Sequence, residues 1–297
     1  MKIIITGSLG NISLPLTQEL VKKGHSVTVV SSDAKKQAAI EQLGAKAAIG
    51  ELEDVDFLIA TFEGADAVYS TIVGGNYFNH SFDLDVYYHK LASNYLRAIT
   101  ETGVKRLVHL SSIGAHLPKG NGILSNTYVV EGILNKLAGV KLTFMRPTSF
   151  YYNLLGYIHG IKMNGSIETN YGTDAKIPWV SPIDIAAAVA EELTEPTGVK
   201  IRYVASEELH GNETAKVLGA AIGLPDLQWK LITDHEALSN LTSIGMNPKI
   251  AAGLVEMYGA LQTGLLAEDY FNNRPTEMGK VKLADYAKQF AQAYHQK

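Results

Sequence analysis

The stretch KIIITGSLGNIS, residues 2–13, decides the fold. Its β-branched run predicts a buried strand that ends at Gly7, and apolar residues recur at helical spacing from Ile12 onward. A glycine turn between a strand and a helix brings backbone N–H groups and the positive end of the helix dipole together, where a pyrophosphate binds. The alternative is a turn that binds nothing, because Ser13 stands at the third glycine position of the usual pattern. The turn residues expected to bind phosphates are Thr6, Gly7, Ser8, Gly10, Asn11 and Ile12.

The composition restricts the class of function. The chain has 297 residues, of which 46% are hydrophobic and 19% charged, as in soluble globular proteins. A formal net charge of −4 disfavours nucleic acid as a partner. The absence of cysteine excludes thiol nucleophiles, disulfides and thiolate metal sites, and the histidines show no metal-ligand spacing. No signal peptide or membrane-spanning segment is evident, so we expect a cytoplasmic protein.

Strand-like and helix-like patterns alternate through the first half of the chain, with glycines at the helix ends. Repeated β-α-β units of this kind predict an α/β fold with a doubly wound parallel sheet. The predicted strands of this half, after the first, span 25–30, 45–49, 67–72, 104–110 and 140–145. The predicted helices after the first span 33–43, 55–62, 85–102 and 128–138.

The second half has fewer strands and more helices, which predicts a second, smaller, mostly helical domain. Residues 1–152 and 179–206 are assigned to the sheet domain. Residues 153–178 and 207–297 are assigned to a lid on the substrate side.

Four stretches carry a resemblance to a known family: TGSLGNIS at 6–13, GVKRLVHLSSIGAH at 103–116, GVKLTFMRPTSFYYN at 139–153 and SPIDIAAAVAEEL at 181–193. In this order they resemble the NmrA-like atypical short-chain dehydrogenases, within the extended dehydrogenase and sugar-epimerase superfamily. The resemblance covers essentially the whole chain. It implies a Rossmann domain that binds NAD(P), and a lid that covers the nicotinamide end.

The resemblance fails at the usual catalytic pair. Family members that reduce substrates usually carry Tyr-x-x-x-Lys, or a lone lysine, on the helix after the Ser-Ser strand, because lysine lowers the tyrosine pKa for proton transfer. Here Tyr128 stands at the tyrosine position and Gly132 at the lysine position. Tyr128 remains a candidate proton donor, with packing against the cofactor as the alternative. His116 is the best-placed histidine for proton transfer, with a surface-loop histidine as the alternative, and His109 is expected in the core.

The end of the second strand bears on the choice between NADP and NAD. NAD-binding proteins place a carboxylate there for the ribose hydroxyls. This chain has Ser31 and Ser32, with Lys35 and Lys36 close by, which favours the 2′-phosphate of NADP. NAD stays open, because Asp33 either binds a ribose or caps the following helix.

The carboxyl ends of the other strands complete the predicted site, since ligands of parallel sheets bind there. Further cofactor contacts are expected from Glu51, Leu52, Ser70, Thr71, Ser111 and Pro147. Substrate contacts are expected from Ser112, Phe150, Tyr151, Tyr152 and Asn153. An aromatic cluster at this place resembles a wall over a nicotinamide ring and suits flat apolar substrates, with core packing as the alternative.

Two functions remain open. The first is an NAD(P)H-dependent oxidoreductase acting on a flat carbonyl or quinone, since a quinone takes its proton from water and tolerates the missing lysine. The second is a non-catalytic NAD(P) redox sensor that acts through a regulatory protein partner. A sugar-nucleotide epimerase is disfavoured, because that chemistry needs the Tyr/Lys pair. The sequence does not indicate the oligomeric state.

Overall fold

The computed structural model describes residues 1–173 and 175–296. The strands are β1 (Lys2–Ile5), β2 (Ser26–Ser31), β3 (Lys46–Ile49), β4 (Ala67–Ser70), β5 (Arg106–Leu110), β6 (Lys141–Pro147), β7 (Ser149–Phe150), β8 (Ser166–Thr169), β9 (Ile177–Val180), β10 (Ile201–Val204), β11 (Glu207–Leu209) and β12 (Gln228–Leu231). The helices are α1 (Ser13–Lys22), α2 (Gln37–Gln42), α3 (Val55–Phe62), α4 (Leu84–Thr102), α5 (Ser125–Leu134), α6 (Ile158–Asn164), α7 (Pro182–Thr194), α8 (Gly211–Ile222), α9 (Asp234–Ser243), α10 (Pro248–Gln262), α11 (Glu268–Asn272) and α12 (Leu283–His295).

A seven-stranded sheet organises the molecule, in the order β10-β6-β5-β4-β1-β2-β3. Every neighbouring pair in it is parallel, and β1 pairs with β2 on one side and β4 on the other. The chain therefore reverses its direction of winding beside β1, where doubly wound sheets bind their ligands. The predicted doubly wound parallel Rossmann sheet is confirmed.

The sheet is buried on both faces because successive side chains of a strand point to opposite sides. Ile3 and Ile5 of β1 pack in one cluster with residues of α1 and α7, whereas Ile4 packs in another with residues of α3, α4 and α5. All three isoleucines are fully buried. β1 thus packs into a hydrophobic core on each face of the sheet. This packing fixes the position of the turn that follows β1.

The second half of the chain builds a third core that is rich in aromatic residues. Tyr151, Trp179, Trp229 and Phe290 belong to it. Two small sheets contribute, β11-β9-β7 and β12-β8, and α12 packs against α8. This core lies beside the carboxyl end of β6, so it adjoins the predicted site.

Most predicted elements lie within a residue or two of the observed bounds, but α2 and α5 differ. α2 begins at Gln37, four residues after the predicted start, because Ala34–Lys36 form a 3₁₀ helix. α5 spans Ser125–Leu134, whereas the sequence pattern predicts 128–138. The helix begins early because a 3₁₀ turn, Gly122–Leu124, leads directly into it. It ends early because tight turns replace the helical pattern before Gly139, whose φ is +71°.

Within residues 1–173 and 175–296, no single helix has the length and apolar character needed to cross a bilayer. Only α10 taken together with Leu265–Asn272, a pair bent by 75°, meets those two criteria.

Candidate active site

The turn after β1 is held in an unusual backbone conformation. Gly7 has φ +89° and Ser8 has φ +56°, both in the left-handed region. The Ser8 N–H donates to the Val30 carbonyl at 3.0 Å, and the Gly10 N–H donates to the Gly7 carbonyl at 3.2 Å. No side chain caps the start of α1 at Ile12. Among the described residues, the N–H groups of Asn11, Ile12 and Ser13 have no acceptor, so they are available to an anion.

Close packing explains the two glycines of this turn. A Cβ on Gly7 would lie 2.7 Å from Thr71 Cγ2 and 2.9 Å from Ser13 Oγ. A Cβ on Gly10 would lie 3.1 Å from the Gly7 carbonyl oxygen. A side chain at either position would thus crowd the turn or its neighbours. The turn is therefore a cradle that fits a pyrophosphate.

The carboxyl ends of β1 and β4 are tied together by three hydroxyl contacts. The Thr71 N–H donates to Thr6 Oγ1 at 3.0 Å. The Tyr95 hydroxyl lies 3.0 Å from Thr6 Oγ1 and donates to the Thr71 carbonyl at 2.8 Å. Burial raises the pKa of Tyr95, which keeps this hydroxyl protonated. Thr6 and Thr71 thus use their polar groups to hold the phosphate turn in place.

A cavity of about 360 Å³ extends from the phosphate turn over the ends of β2 and β3. Its wall includes the predicted residues Ser31, Ser32, Glu51 and Leu52. The Asn94 amide donates to the Leu52 carbonyl at 3.0 Å and so fixes the loop that follows β3. Val73 and Tyr87 also line this cavity, and no sequence motif indicates them. The cavity has the position and size expected for the adenosine half of a dinucleotide.

Asp33, Lys35 and Lys36 follow β2 at the polar end of this cavity and make different contacts there. The Asp33 carboxylate accepts from the Lys35 N–H at 3.0 Å and caps the short 3₁₀ helix there, and Asp33 also lines the cavity. Ser31 Oγ accepts from Ser8 Oγ at 2.9 Å and from the Asp33 N–H at 3.2 Å. Lys36 contributes to the cavity wall, whereas the predicted Lys35 does not.

The Ser70 side chain, expected to contact the cofactor, is buried in the protein interior instead. The side chain is fully buried, and its Oγ lies 2.8 Å from His109 Nδ1. Burial lowers the pKa of His109 to about 3, so the imidazole is neutral at physiological pH. His109 is a core residue, as predicted. The Ser70 hydroxyl contacts His109 instead of a ligand, because the Ser70 side chain points into the interior.

Ser111 belongs to a buried charged cluster. Its hydroxyl donates to Glu131 Oε1 at 2.6 Å. Glu131 also forms a bidentate pair with Arg146, at 2.9 and 2.7 Å. Arg146 reaches Asp269 Oδ2 at 3.0 Å and the Tyr203 hydroxyl at 3.2 Å. These five residues are called the Arg146 network, and they connect β5, α5 and β6 with α11 of the second half.

The Arg146 network changes what its members can do in a reaction. Burial alone would lower the pKa of Arg146, but hydrogen bonds and charge from Glu131 raise it above its usual value. Arg146 is therefore permanently charged and cannot donate a proton. The Ser111 proton is likewise engaged by Glu131, which leaves this hydroxyl only as an acceptor toward a ligand.

The two predicted proton donors lie in different surroundings. Tyr128 is 44% exposed on the outer side of α5, and no described cavity includes it. The same helix turns Glu131 toward the interior instead. His116 is half-buried, and neither of its ring nitrogens has a partner among the described residues. Burial lowers the pKa of His116, which keeps it neutral near pH 7.

The aromatic residues after β6 have two different environments: Phe150 and Tyr152 are half-buried, whereas Tyr151 lies in the core. Phe150 and Tyr152 are half-buried and stacked, with ring centroids 4.9 Å apart and planes 18° apart. Tyr151 is fully buried and donates to Glu207 Oε1 at 2.7 Å, so it is a core residue, not an accessible substrate contact. Asn153 is exposed.

Two further predicted residues lie beside the aromatic pair. Pro147 is buried at the end of β6, and its carbonyl accepts from the Ile113 N–H at 2.9 Å. Ser112 is half-buried in the turn after β5, where its carbonyl accepts from the Ala115 N–H at 3.3 Å. Both lie at strand ends on the same edge of the sheet as the phosphate turn.

A second cavity of about 460 Å³ lies on the other side of the phosphate turn. Asn11 and Tyr152 line it, together with the start of α7 and residues of α12. The residues of the second half thus approach the turn at this place. In the part of the chain that the structure describes, no group of three or more histidine or acidic side chains is arranged to bind a metal.

Residues 7–196 match the family model described as NAD(P)H-binding. The chain belongs to the NAD(P)H-binding family. This confirms the family resemblance and the NAD(P) cofactor class predicted from the sequence. The phosphate cradle and the first cavity both lie within the matched residues.

Individual proteins resemble the chain over nearly its full length. The NAD(P)H azoreductase of Xenophilus azovorans is 26% identical over 302 residues, covering 98% of this chain and 99% of that protein. An NADPH-dependent quinone oxidoreductase from Escherichia coli, solved with NADPH, has a TM-score of 0.79 over 97% of this chain and 99% of that chain, at 18% identity. A triphenylmethane reductase from Citrobacter has a TM-score of 0.79 over 98% and 100%, at 19% identity. The two structures support the fold.

Proposed function

We propose that this protein is an NAD(P)H-dependent reductase of a flat conjugated acceptor, either a quinone or an azo compound. The stacked pair Phe150–Tyr152 carries the proposal, because it offers a flat apolar surface at the carboxyl end of the sheet. Tyr152 also lines the cavity that Asn11 of the phosphate turn borders. An acceptor on this surface would lie next to a dinucleotide on the cradle. The similarity to an azoreductase over nearly the whole chain supports this substrate class.

The lack of the usual catalytic lysine also favours a quinone or an azo compound as the acceptor. The bound cofactor supplies a hydride, which carries two electrons, and the acceptor then needs one proton. The lysine position of the usual Tyr-x-x-x-Lys pair is occupied by Gly132 in this chain, so Tyr128 has no lysine four residues on. Reduced quinones and azo compounds take that proton from water. Interconversion of an alcohol and a ketone needs a positioned acid or base, so the site disfavours it.

The proposal assigns separate tasks to the two parts of the chain. Residues 1–152 and 179–206 would hold the cofactor, and residues 153–178 and 207–297 would cover the acceptor. The cytoplasmic location expected from the sequence stays a prediction.

We propose that NADPH is preferred over NADH. Lys36 lines the 360 Å³ cavity and would supply a positive charge for the 2′-phosphate, while the neighbouring Asp33 carboxylate already accepts from the Lys35 N–H. We expect NADPH to bind at least about tenfold more tightly, which corresponds to about 1.4 kcal/mol. Lys36→Gln should remove most of this preference without changing NADH affinity, and Lys35→Gln is the matched control. Equal affinities for the two cofactors, measured by titration, would exclude NADP selectivity.

Turnover tests the proposed function directly. We expect purified protein to oxidise NADPH in the presence of a naphthoquinone or an azobenzene at a rate well above that without protein. Tyr128→Phe should leave this rate within about twofold, because the side chain lies outside the cavities. His116→Ala then tests the remaining predicted proton donor. Tight NADPH binding without turnover of any acceptor would instead favour a redox sensor with a regulatory protein partner.

A further inference from the structure

Residues 71–83 form the loop between β4 and α4, and this loop borders the cavity assigned to the adenosine half of the cofactor. Val73 of the loop and Tyr87 of α4 line that 360 Å³ cavity. Gly75 packs directly against the Phe82 ring, where a Cβ would overlap it, so the loop is folded compactly on itself. The position of the loop therefore determines where this part of the cavity wall lies.

The loop packs on the second half of the chain. Tyr77 and Phe82 contact a cluster that contains the buried side chains of Met246 and Ile250. The Asn247 N–H also donates to the Tyr77 carbonyl at 2.9 Å. Ile250 belongs to α10. A wall of the cofactor cavity is thus supported by a helix outside the central sheet.

The Asn247 side chain connects α10 to the loop. The residue is 5% exposed and immediately precedes α10. Its side-chain oxygen accepts from the Lys249 N–H at 2.9 Å and caps the helix. Its side-chain nitrogen faces three carbonyl oxygens of the loop, those of Asn79 at 3.2 Å and of His80 and Phe82 at 3.4 Å. The two amide protons are shared among these carbonyls, so one side chain serves both as the cap and as a donor to the loop.

Lys249 makes a second connection at the protein surface. Its ammonium lies 2.7 Å from Asp85 Oδ2 and 3.8 Å from Asp83 Oδ2, at the start of α4. The Lys249 side chain is 64% exposed, and exposed ion pairs contribute little to stability. We therefore expect the buried Asn247 amide, and not this ion pair, to fix the loop.

We propose that Asn247 is a positioning residue for the cofactor. Its amide holds residues 71–83 against α10 and so keeps Val73 and Tyr87 in place around the adenosine half. The second half of the chain thereby controls how fast the cofactor dissociates. This inference rests on the proposed function, because it requires the dinucleotide to occupy the 360 Å³ cavity, but it does not depend on which acceptor is reduced. Asn247 itself lines neither of the two cavities at the phosphate turn.

Asn247→Asp tests the assignment, because aspartate keeps the oxygen that caps α10 and removes both amide protons. Its carboxylate would also repel the three carbonyl oxygens of the loop. Bound NADPH is displaced by excess NADP⁺ and followed by stopped-flow fluorescence. We expect NADPH to dissociate about tenfold faster from this variant than from the unaltered protein. Adenosine 2′,5′-bisphosphate, which lacks the nicotinamide half, should lose affinity by the same factor.

Asn247→Ser is a second variant that keeps a capping oxygen without adding a charge. It should change the NADPH dissociation rate and the bisphosphate affinity in the same direction as Asn247→Asp. If Asn247→Asp does not fold, Asn247→Ser decides the question by the same two measurements.

Asn170→Asp is the matched control, because the buried Asn170 amide also binds α10 but does so at another place. It donates to the Val255 carbonyl at 3.0 Å and to Asp234 Oδ1 at 2.8 Å. This variant should lower the thermal unfolding temperature and leave NADPH dissociation within about twofold. Lys249→Gln should also leave NADPH dissociation within about twofold.

The possible results separate the role of Asn247 from general loosening of the protein and from the proposed function. Unchanged NADPH dissociation from Asn247→Asp, or an equal acceleration by Asn170→Asp, would overturn the inference. Faster dissociation confined to the Asn247 variants would support it. That result without turnover of any acceptor would still support the inference and would refute the proposed reductase. Turnover of a quinone or an azo compound with unchanged dissociation from Asn247→Asp would refute the inference and leave the proposed function standing.

Discussion

Replacing Arg146 with methionine is expected to lower the free energy of unfolding by about 3–5 kcal/mol. The guanidinium is buried and makes a bidentate pair with buried Glu131, so its removal leaves a carboxylate without its counter-charge inside the protein. Asp269 and the Tyr203 hydroxyl lose the same partner. Chemical denaturation followed by circular dichroism measures the effect.

An exposed arginine provides the control for this expectation. Arg97 pairs with Glu101 on the surface of α4, where ion pairs contribute about 0–1 kcal/mol. Arg97→Met should therefore change stability by less than about 1 kcal/mol. If Arg146→Met also changes the free energy of unfolding by less than about 1 kcal/mol, the Arg146 network does not stabilise the protein. Combining Arg146→Met with Glu131→Gln should cost less than the sum of the two, because each substitution already breaks the same pair.

Loss of Arg146 should also affect the lid. Asp269 lies on α11, which belongs to the second half, whereas Arg146 lies on β6 of the central sheet. The 3.0 Å contact between them therefore connects the cofactor sheet to the segment that would cover the acceptor. Amide hydrogen exchange in α11 should become faster in Arg146→Met than in Arg97→Met.

The sheet was predictable because its signals are local. The β-branched run of β1, the glycine that follows α4 and the aspartates that cap α3 and α4 each lie within a few residues of the element they define. α3 matches its predicted bounds, since Asp54 caps it with side-chain hydrogen bonds. The short strands β7, β9 and β11 escaped prediction because two to four residues carry no periodicity.

The cofactor half of the site was also predictable, and the acceptor half only in part. The phosphate turn lies within eight residues of sequence, whereas Glu131, Arg146 and Asp269 come together from three distant places. A helical pattern did not reveal that α5 turns Glu131 inward and Tyr128 outward, because the buried position of the Glu131 carboxylate depends on its pairing with Arg146 of β6.

Substituting Gly10 by glutamate is expected to abolish dinucleotide binding while the protein stays folded. The new Cβ would lie 3.1 Å from the Gly7 carbonyl oxygen, which is tighter than an ordinary van der Waals contact, so thermal unfolding has to show that the variant folds. The carboxylate, however, would extend in front of the N–H groups that face the pyrophosphate, and like charges would repel there. We expect NADPH affinity to fall by at least about a hundredfold, which corresponds to about 2.7 kcal/mol.

A glutamate introduced far from the phosphate turn serves as the control for Gly10→Glu. Gly160 lies in α6, where a Cβ would meet no atom within 4 Å, and Gly160→Glu adds the same charge away from the phosphate turn. This variant should bind NADPH like the unaltered protein. Titration of both variants by isothermal calorimetry, with thermal unfolding as a check on folding, decides the matter. Undiminished NADPH binding by folded Gly10→Glu would mean that the dinucleotide lies elsewhere, and the proposed arrangement of cofactor and acceptor would fail with it.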